Sequence, residues 1–246
     1  MAKVRLDTLM VERGLAETRN RAQALILAGK VFSGEQRLDK PGHQVDPAAP
    51  LTVRGRDHPW VSRGGVKLAH GLETFGIDPA GRFCLDIGAS TGGFTDVLLK
   101  HNAARVYAVD VGHGQLDWRL RNDPRVVVLE RTNARHLSRD QVPEPIDLVV
   151  CDASFISLTT VLPAPLALTG PRARLIALIK PQFEVGKGQV GKGGVVRDPD
   201  LREQACEKVR SWLEALPEWR VMGLTESPIK GPEGNIEFLI AAERQA

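Results

Sequence analysis

Aromatic residues make up only 5% of the 246 residues, with a single tyrosine, and no apolar run approaches the ~18 to 20 residues that span a bilayer. The sequence therefore offers no membrane-spanning helix and no strongly amphipathic membrane element. Cysteine is scarce as well. Cys84, Cys151 and Cys206 are odd in number and lack metal-ligand spacing, which argues against a disulfide framework or a zinc site and predicts reduced, buried thiols and no bound metal. The opening Met1-Ala2-Lys3-Val4-Arg5-Leu6-Asp7 carries charge but no following apolar region, so a secretory signal is not expected and a cytoplasmic location is. Net charge is only +3, and residues 1 to 60 account for the whole surplus, with ten Lys/Arg against seven Asp/Glu. A balance this even does not by itself specify a nucleic-acid partner. No internal repeat or low-complexity tract is present.

Position adds what composition withholds. Leu6, Leu9, Met10 and Leu15 predict a short helix ending near Gly14; Thr18 caps a second, with Ala22, Leu25 and Ile26 inward and its end at Gly29. A strand is expected at Val31-Phe32, and Leu51-Thr52-Val53 returns to the same small sheet. Arg19 and Arg21 fall in the first turn of the second helix, where cations oppose the helix dipole, so a phosphate partner explains them better than helix stability does. The stretch from Thr18 through Val31 resembles the RNA-binding domain of the ribosomal protein S4 type. That resemblance covers roughly the first 55 residues and implies RNA-facing roles for Arg5, Arg19, Arg21 and Lys30. Proline recurs at Pro41, Pro47, Pro50 and Pro59. This predicts a division into residues 1–56, a linker at 57–62 containing Asp57, and a larger domain over 63–246, with Trp60 packed near the junction.

From Phe83 onward short apolar runs alternate with helical stretches. Strands are predicted at 83–87, 105–110, 126–129, 146–151, 175–179, 220–224 and 236–241. Their apolarity is continuous rather than alternating, which indicates burial on both faces and hence an α/β fold with a mostly parallel, Rossmann-like sheet. Ligands in such sheets lie beyond the carboxyl ends of the strands, where Asp86, Asp110, Asp152 and Lys180 are all placed. The loop after the first of these strands, Asp86-Ile87-Gly88-Ala89-Ser90-Thr91-Gly92-Gly93, lacks the Gly-x-Gly-x-x-Gly of dinucleotide enzymes, which disfavours hydride chemistry. With Asp110 ending the next strand, it suits a nucleoside cofactor without a pyrophosphate, and S-adenosylmethionine is the best candidate. Gly88, Ser90, Gly92, Gly93 and the adjoining Phe94 are assigned to that pocket together with Asp86, Asp110 and Asp152. Tight helix packing would explain the glycines but not the two carboxylates at successive strand ends.

Four separated motifs carry charge: Ser62-Arg63-Gly64-Gly65-Val66-Lys67, Cys151-Asp152-Ala153-Ser154, Leu178-Ile179-Lys180-Pro181 and Gly234-Asn235-Ile236-Glu237. In the last three the charged residue sits at the edge of an apolar run, where an uncompensated charge is costly. Lys67, Asp152, Lys180 and Glu237 are thus a candidate site, or else two ordinary ion pairs. Gly186 to Lys192 has the spacing of a phosphate loop, but Gly193 stands where Ser or Thr should hold magnesium, and no helix pattern follows. Its Lys187 and Lys192 belong either to a loop that closes over substrate or to a solvated surface loop.

Together these motifs resemble the TlyA family of ribosomal RNA 2′-O-methyltransferases, in which an S4-like domain precedes an FtsJ-like, class I methyltransferase domain; some members are labelled hemolysins. The resemblance covers nearly the whole chain. It implies a catalytic tetrad at Lys67, Asp152, Lys180 and Glu237, S-adenosylmethionine as cofactor, cytidine in small- or large-subunit ribosomal RNA as target, and, by position, an adenine contact for Asn133. Methyl transfer to a ribose hydroxyl needs a base, because a neutral nucleophile must lose its proton as it attacks. Lys180 fits that role, since a second cation at Lys67 favours proton release. Asp152 then orients Lys180, and Glu237 holds Lys67. A non-catalytic ribosomal RNA-binding or assembly factor, a membrane-active hemolysin and a pseudouridine synthase are the competing classes.

Overall fold

Helical periodicity before residue 30 and doubly buried apolar runs after residue 80 give rise to two different architectures. The chain accordingly forms two compact units, Met1–Pro59 and Trp60–Ala246. The computed structural model describes residues 3–16, 18–54 and 58–245, and of Lys187 the backbone alone. Asp57 of the expected linker lies outside the described residues.

In the first unit β1 (Val4–Arg5) leads into α1 (Leu6–Glu12), and α2 (Arg19–Leu27) starts at Thr18, whose hydroxyl accepts the Arg21 N–H at 3.2 Å. Leu6, Leu9, Met10, Ala22 and Ile26 are buried together, while Leu25, expected inward, is half-buried. The strands β2 (Val31–Ser33), β3 (Gln36–Arg37) and β5 (Leu51–Val53) form one antiparallel sheet in the order β3-β2-β5, and β4 (Gln44–Val45) pairs with β1. The return of Leu51–Val53 to β2 matches its pattern. The two-residue β1 is too short to leave an alternation in the sequence.

The second unit runs α3 (Gly64–Phe75), β6 (Phe83–Ile87), α4 (Gly93–Lys100), β7 (Arg105–Val109), α5 (Trp118–Arg121), β8 (Val126–Leu129), β9 (Ile146–Cys151), α6 (Leu158–Val161), α7 (Pro163–Ala167), β10 (Thr169–Ile179), α8 (Pro181–Glu184), α9 (Pro199–Glu214), β11 (Trp219–Glu226) and β12 (Phe238–Arg244). Its seven-stranded sheet has the order β11-β12-β10-β9-β6-β7-β8. Neighbours from β10 through β8 are parallel, and β12 alone runs antiparallel to both strands beside it. Successive residues of each strand feed opposite faces: Leu85, Val149 and Leu175 pack with Val209 and Leu213 of α9, whereas Cys84, Leu148 and Ile176 pack with Leu68 of α3 and Val97 of α4. Burial of both faces is why the runs read as continuously apolar.

Four strands of the sheet differ in their bounds from the sequence reading; β7 ends at Val109 rather than 110 and β11 runs Trp219–Glu226 rather than 220–224, and two strand starts move by two residues or more. β10 begins at Thr169, not 175, across a register shift near Gly170, Pro171 and the positive-φ Arg172, which interrupt the apolar run. β12 begins at Phe238, so Glu237 stands just before the strand. All three cysteines are free and buried, and burial pushes the Cys151 and Cys206 thiols up to about 12. Trp60 packs within its own unit, stacked on His101 at 6.0 Å with the Lys100 ammonium 5.0 Å from its ring. Among the described residues no group of His, Cys, Asp or Glu could hold a metal ion, and no helix is long and apolar enough to cross a membrane.

Candidate active site

The parallel strands present their carboxyl ends along one edge of the sheet, and β12, running the other way, presents its amino end there: Phe238 pairs with Ile179. One edge therefore collects Asp152 after β9, Lys180 after β10 and Glu237 before β12. Lys67 reaches it from the first turn of α3. Two close approaches bring the loops together. Gly88 has φ +82°, and a Cβ there would lie 3.0 Å from the Ala153 backbone; a Cβ on Gly93 would lie 2.3 Å from Ser62 Oγ and 3.0 Å from the Gly65 nitrogen. Glycine thus lets the loop after β6 touch the loop after β9, and lets the amino ends of α3 and α4 meet.

Four residues spread over 170 positions of sequence converge. Lys67 Nζ donates to Glu237 Oε2 at 2.5 Å and lies 4.0 Å from Asp152 Oδ2; Lys180 Nζ lies 2.7 Å from Asp152 Oδ1. Lys67, Lys180 and Glu237 are buried and Asp152 is partly so. The arrangement is a chain of alternating charge, Glu237–Lys67–Asp152–Lys180, rather than two separate ion pairs. Glu237 Oε1 is buried without a hydrogen-bond partner.

The residues expected around a cofactor stand in four different settings. Asp86 is fully buried; its Oδ2 accepts the Thr95 hydroxyl at 2.7 Å and its Oδ1 has no partner. Ser90 and Asp110 face a cleft shared with Ala89, Ala108, Leu116 and Val128. There the Asp110 carboxylate already accepts the backbone N–H of Ser90 at 2.8 Å and of Gly112 at 2.6 Å. Gly92 packs on Leu116 and Leu120, and the Phe94 ring lies in the hydrophobic core. Asn133 uses its side-chain oxygen to cap a short turn, accepting the Arg135 N–H at 3.1 Å, which leaves its NH₂ as the group for other contacts.

Burial pushes the Asp86 carboxyl up to about 7; Asp152 and Asp110 push the same way, while the Thr95 hydrogen bond opposes. Because the folded value lies above the ordinary 3.8, ionising Asp86 costs stability. That cost is absent below about 4, grows between about 4 and 7, and is complete above. Asp86→Asn is expected to raise the melting temperature of the ligand-free protein by several degrees at pH 8 and to lose that gain towards pH 4. Thermal melts across this range check it, and an equal gain at both ends would show that the carboxyl does not titrate with folding.

In the first unit, Arg5 and Arg19 share one buried carboxylate. Arg5 donates to Asp7 at 3.0 and 2.9 Å, Arg19 at 3.1 Å and Gln23 at 2.9 Å. The Arg5 guanidinium foremost holds the Asp7 carboxyl well below the usual carboxylate range. Both arginine side chains remain about half-exposed. Arg21 is exposed on the first turn of α2, and Lys30 is half-buried just before β2.

Sequence reasoning gave no role to three residues that the structure brings to these loops. Ser154 accepts from Lys180 Nζ at 2.8 Å. Glu184 accepts from Ser157 Oγ, the Leu158 N–H and Lys208 Nζ, fixing the loop after β9 to the turn after Lys180. The fully buried Asn235 accepts the Val196 N–H at 2.9 Å and donates to the Gly194 carbonyl at 2.8 Å. That bond pins the glycine-rich loop, which forms two short 3₁₀ turns and, unlike a phosphate loop, no helix. The only sequence signal for Ser154 and Asn235 was membership in the motifs of Asp152 and Glu237.

The profile of FtsJ-like methyltransferases matches residues 60–244, and that of S4 domains matches residues 4–49. The chain is 52% identical over 239 residues to the 16S/23S rRNA (cytidine-2′-O)-methyltransferase TlyA of Mycobacterium tuberculosis, covering 97% of this chain and 89% of that one. It is 42% identical to hemolysin A of Brachyspira hyodysenteriae, over 96% and 98% of the two chains. A solved structure from Streptococcus thermophilus that bears a hemolysin label shares the fold at TM-score 0.77 and 41% identity, over 100% of this chain and 90% of that one. The chain belongs to the TlyA family, in which an S4 domain precedes an FtsJ-like methyltransferase domain.

Proposed function

We propose that this protein transfers a methyl group from S-adenosylmethionine to the ribose 2′-hydroxyl of a cytidine in ribosomal RNA, with Lys180 as general base. The observation that carries the proposal is the unbroken Glu237–Lys67–Asp152–Lys180 charge chain at the ligand-binding edge of the sheet. Three buried carboxylate oxygens in the same region, Asp86 Oδ1, Asp152 Oδ1 and Glu237 Oε1, accept no hydrogen bond from the protein. Buried acceptors are rarely left so, and ligand hydroxyl or ammonium groups would satisfy them. The names of relatives at 52% identity support the same reaction.

When bound, S-adenosylmethionine supplies a methyl on a positively charged sulfur. Asp86, Asp110, Asp152 and the backbone of Gly88, Ser90, Gly92, Gly93 and Phe94 would hold it, with the Asn133 amide at the base. The protein's own part is to place and deprotonate the hydroxyl. Asp152 spans both lysines, so Lys180 is held on one side and Lys67 on the other. Glu237 fixes Lys67, and Lys180 takes the hydroxyl proton. Phe155, 89% exposed and tilted against Phe183 at 5.1 Å, offers an aromatic face for a base beside this site.

Residues 1–56 would supply the RNA-binding domain, 57–62 the linker and 63–246 the catalytic domain, acting on ribosomal RNA or a ribosomal subunit in the cytoplasm. In the RNA-binding part, replacing Arg5 and Arg19 by Gln is expected to lower the slope of log affinity against log salt by about 1.5 to 2. Filter binding from low to moderate salt measures it, and an unchanged slope would remove both residues from the phosphate contacts.

The reaction itself is tested by transfer of labelled methyl from S-adenosylmethionine to purified ribosomal subunits, with the modified nucleotide mapped. Label on a cytidine ribose is the expected result. Cofactor binding without transfer to either subunit would overturn the substrate assignment, and absence of both would favour a non-catalytic RNA-binding factor.

A further inference from the structure

Lys180 Nζ touches three acceptors: Asp152 Oδ1 at 2.7 Å, the Asp152 carbonyl oxygen at 3.1 Å and Ser154 Oγ at 2.8 Å. A lysine ammonium has three N–H groups; two make hydrogen bonds here, to the Asp152 carbonyl and to Ser154 Oγ, while Asp152 Oδ1 is an ion-pair partner at 2.7 Å without hydrogen-bond geometry. A hydroxyl that gives its proton to this amine competes with these acceptors for its place on the nitrogen. The Asp152 carbonyl is fixed where β9 ends, and the Asp152 carboxylate is shared with Lys67. Ser154 is different: it lies on an exposed stretch of loop, ahead of Phe155 at φ +64°, and it is itself a hydroxyl.

We propose that Ser154 is a positioning residue whose hydroxyl stands on Lys180 where the ribose 2′-hydroxyl will stand, keeping the amine aimed and protonated until substrate displaces it. The inference rests on Lys180 being the base. On exchange, Lys180 gives one proton to water and stays held by its hydrogen bond to the Asp152 carbonyl and by the Asp152 carboxylate beside it, which leaves the lone pair for the place Ser154 has left. The 2′-hydroxyl proton moves to that lone pair as the oxygen–carbon bond forms and the carbon–sulfur bond breaks. The ammonium so formed returns to Ser154 when the methylated ribose departs.

The other charged and titratable groups around Lys180 are Asp152 and Cys151 of β9 and its end, Lys67 of α3, Asp86 of β6, Glu237 before β12, and the Glu184–Lys208 pair of α8 and α9. Variants at Ser154 leave all of them in place. Ser154→Ala removes an acceptor from a charged donor, so the acid limb of the rate–pH profile at subsaturating RNA, which reports the free enzyme, is expected to move about one unit lower. Ser154→Thr keeps the hydroxyl and should leave the profile where it is. Nuclear magnetic resonance titration of the lysine side chains in ligand-free protein, with the Lys180 signal identified by its loss in Lys180→Met, should show the same downward move without any turnover. A folded Ser154→Ala protein with an unmoved profile and an unmoved titration overturns the assignment. If Lys180→Met is inactive in that case, only the role of Ser154 falls; if Lys180→Met still methylates, the base assignment itself has failed.

Discussion

Lys180→Met is expected to lower methyl transfer by about 10² to 10⁴-fold, the range typical of losing a general base, while leaving the fold and cofactor binding near wild type. Methionine matches the reach of the lysine stem and lacks the amine. The substitution does not leave Asp152 without a cation, because Lys67 Nζ remains 4.0 Å from its other oxygen. Ser154, exposed, regains water. The variant therefore separates chemistry from structure, which few changes in so tightly coupled a cluster can do. Single-turnover methylation, circular dichroism and a cofactor-binding isotherm on the same preparation check it. Full activity in a folded, cofactor-binding Lys180→Met protein would remove Lys180 from the chemistry.

Glu237→Ala carries the largest expected cost in stability. It leaves Lys67, only 4% exposed, without its 2.5 Å partner in the protein interior. Breaking a buried pair from one side costs about 3 to 5 kcal/mol, which in a domain of this size lowers the melting temperature by roughly 6 to 20 °C. Replacing both partners, as in Lys67→Met with Glu237→Leu, removes the stranded charge and is expected to restore most of that stability without restoring methyl transfer. Thermal melts of the two proteins decide the matter. If Glu237→Ala melts like the wild type, Lys67 has found another partner and the charge chain is not what holds it.

Much of this was visible in the residues. The sheet was legible because strands buried on both faces keep a continuous apolar run, and the site because Asp152, Lys180 and Glu237 interrupt such runs at their ends. Other features depend on approaches that no spacing records. Gly88 meets Ala153 across 65 positions, and Ser154 meets Lys180 across 26. The capping bond of Asn133 and the core placement of Phe94 were hidden for the same reason, since a cap or a ring's neighbours are set by packing. The S4-like part was legible in its helix cap at Thr18 and its returning strand, but not in the way Asp7 gathers Arg5 and Arg19.

The position of β12 has a consequence for how the protein is made. It follows β10 and β11 in sequence, yet it lies between them in the sheet. During synthesis, at roughly 5 to 20 residues per second, the growing chain must carry β10 with an unpaired edge and Lys67 without its 2.5 Å partner until residues 237 to 244 arrive. The segment that fills the gap in the sheet is also the one that delivers Glu237. Closure of the sheet and completion of the charge chain are thus one event, so a nascent chain that still lacks β12 also lacks the assembled cluster proposed for catalysis.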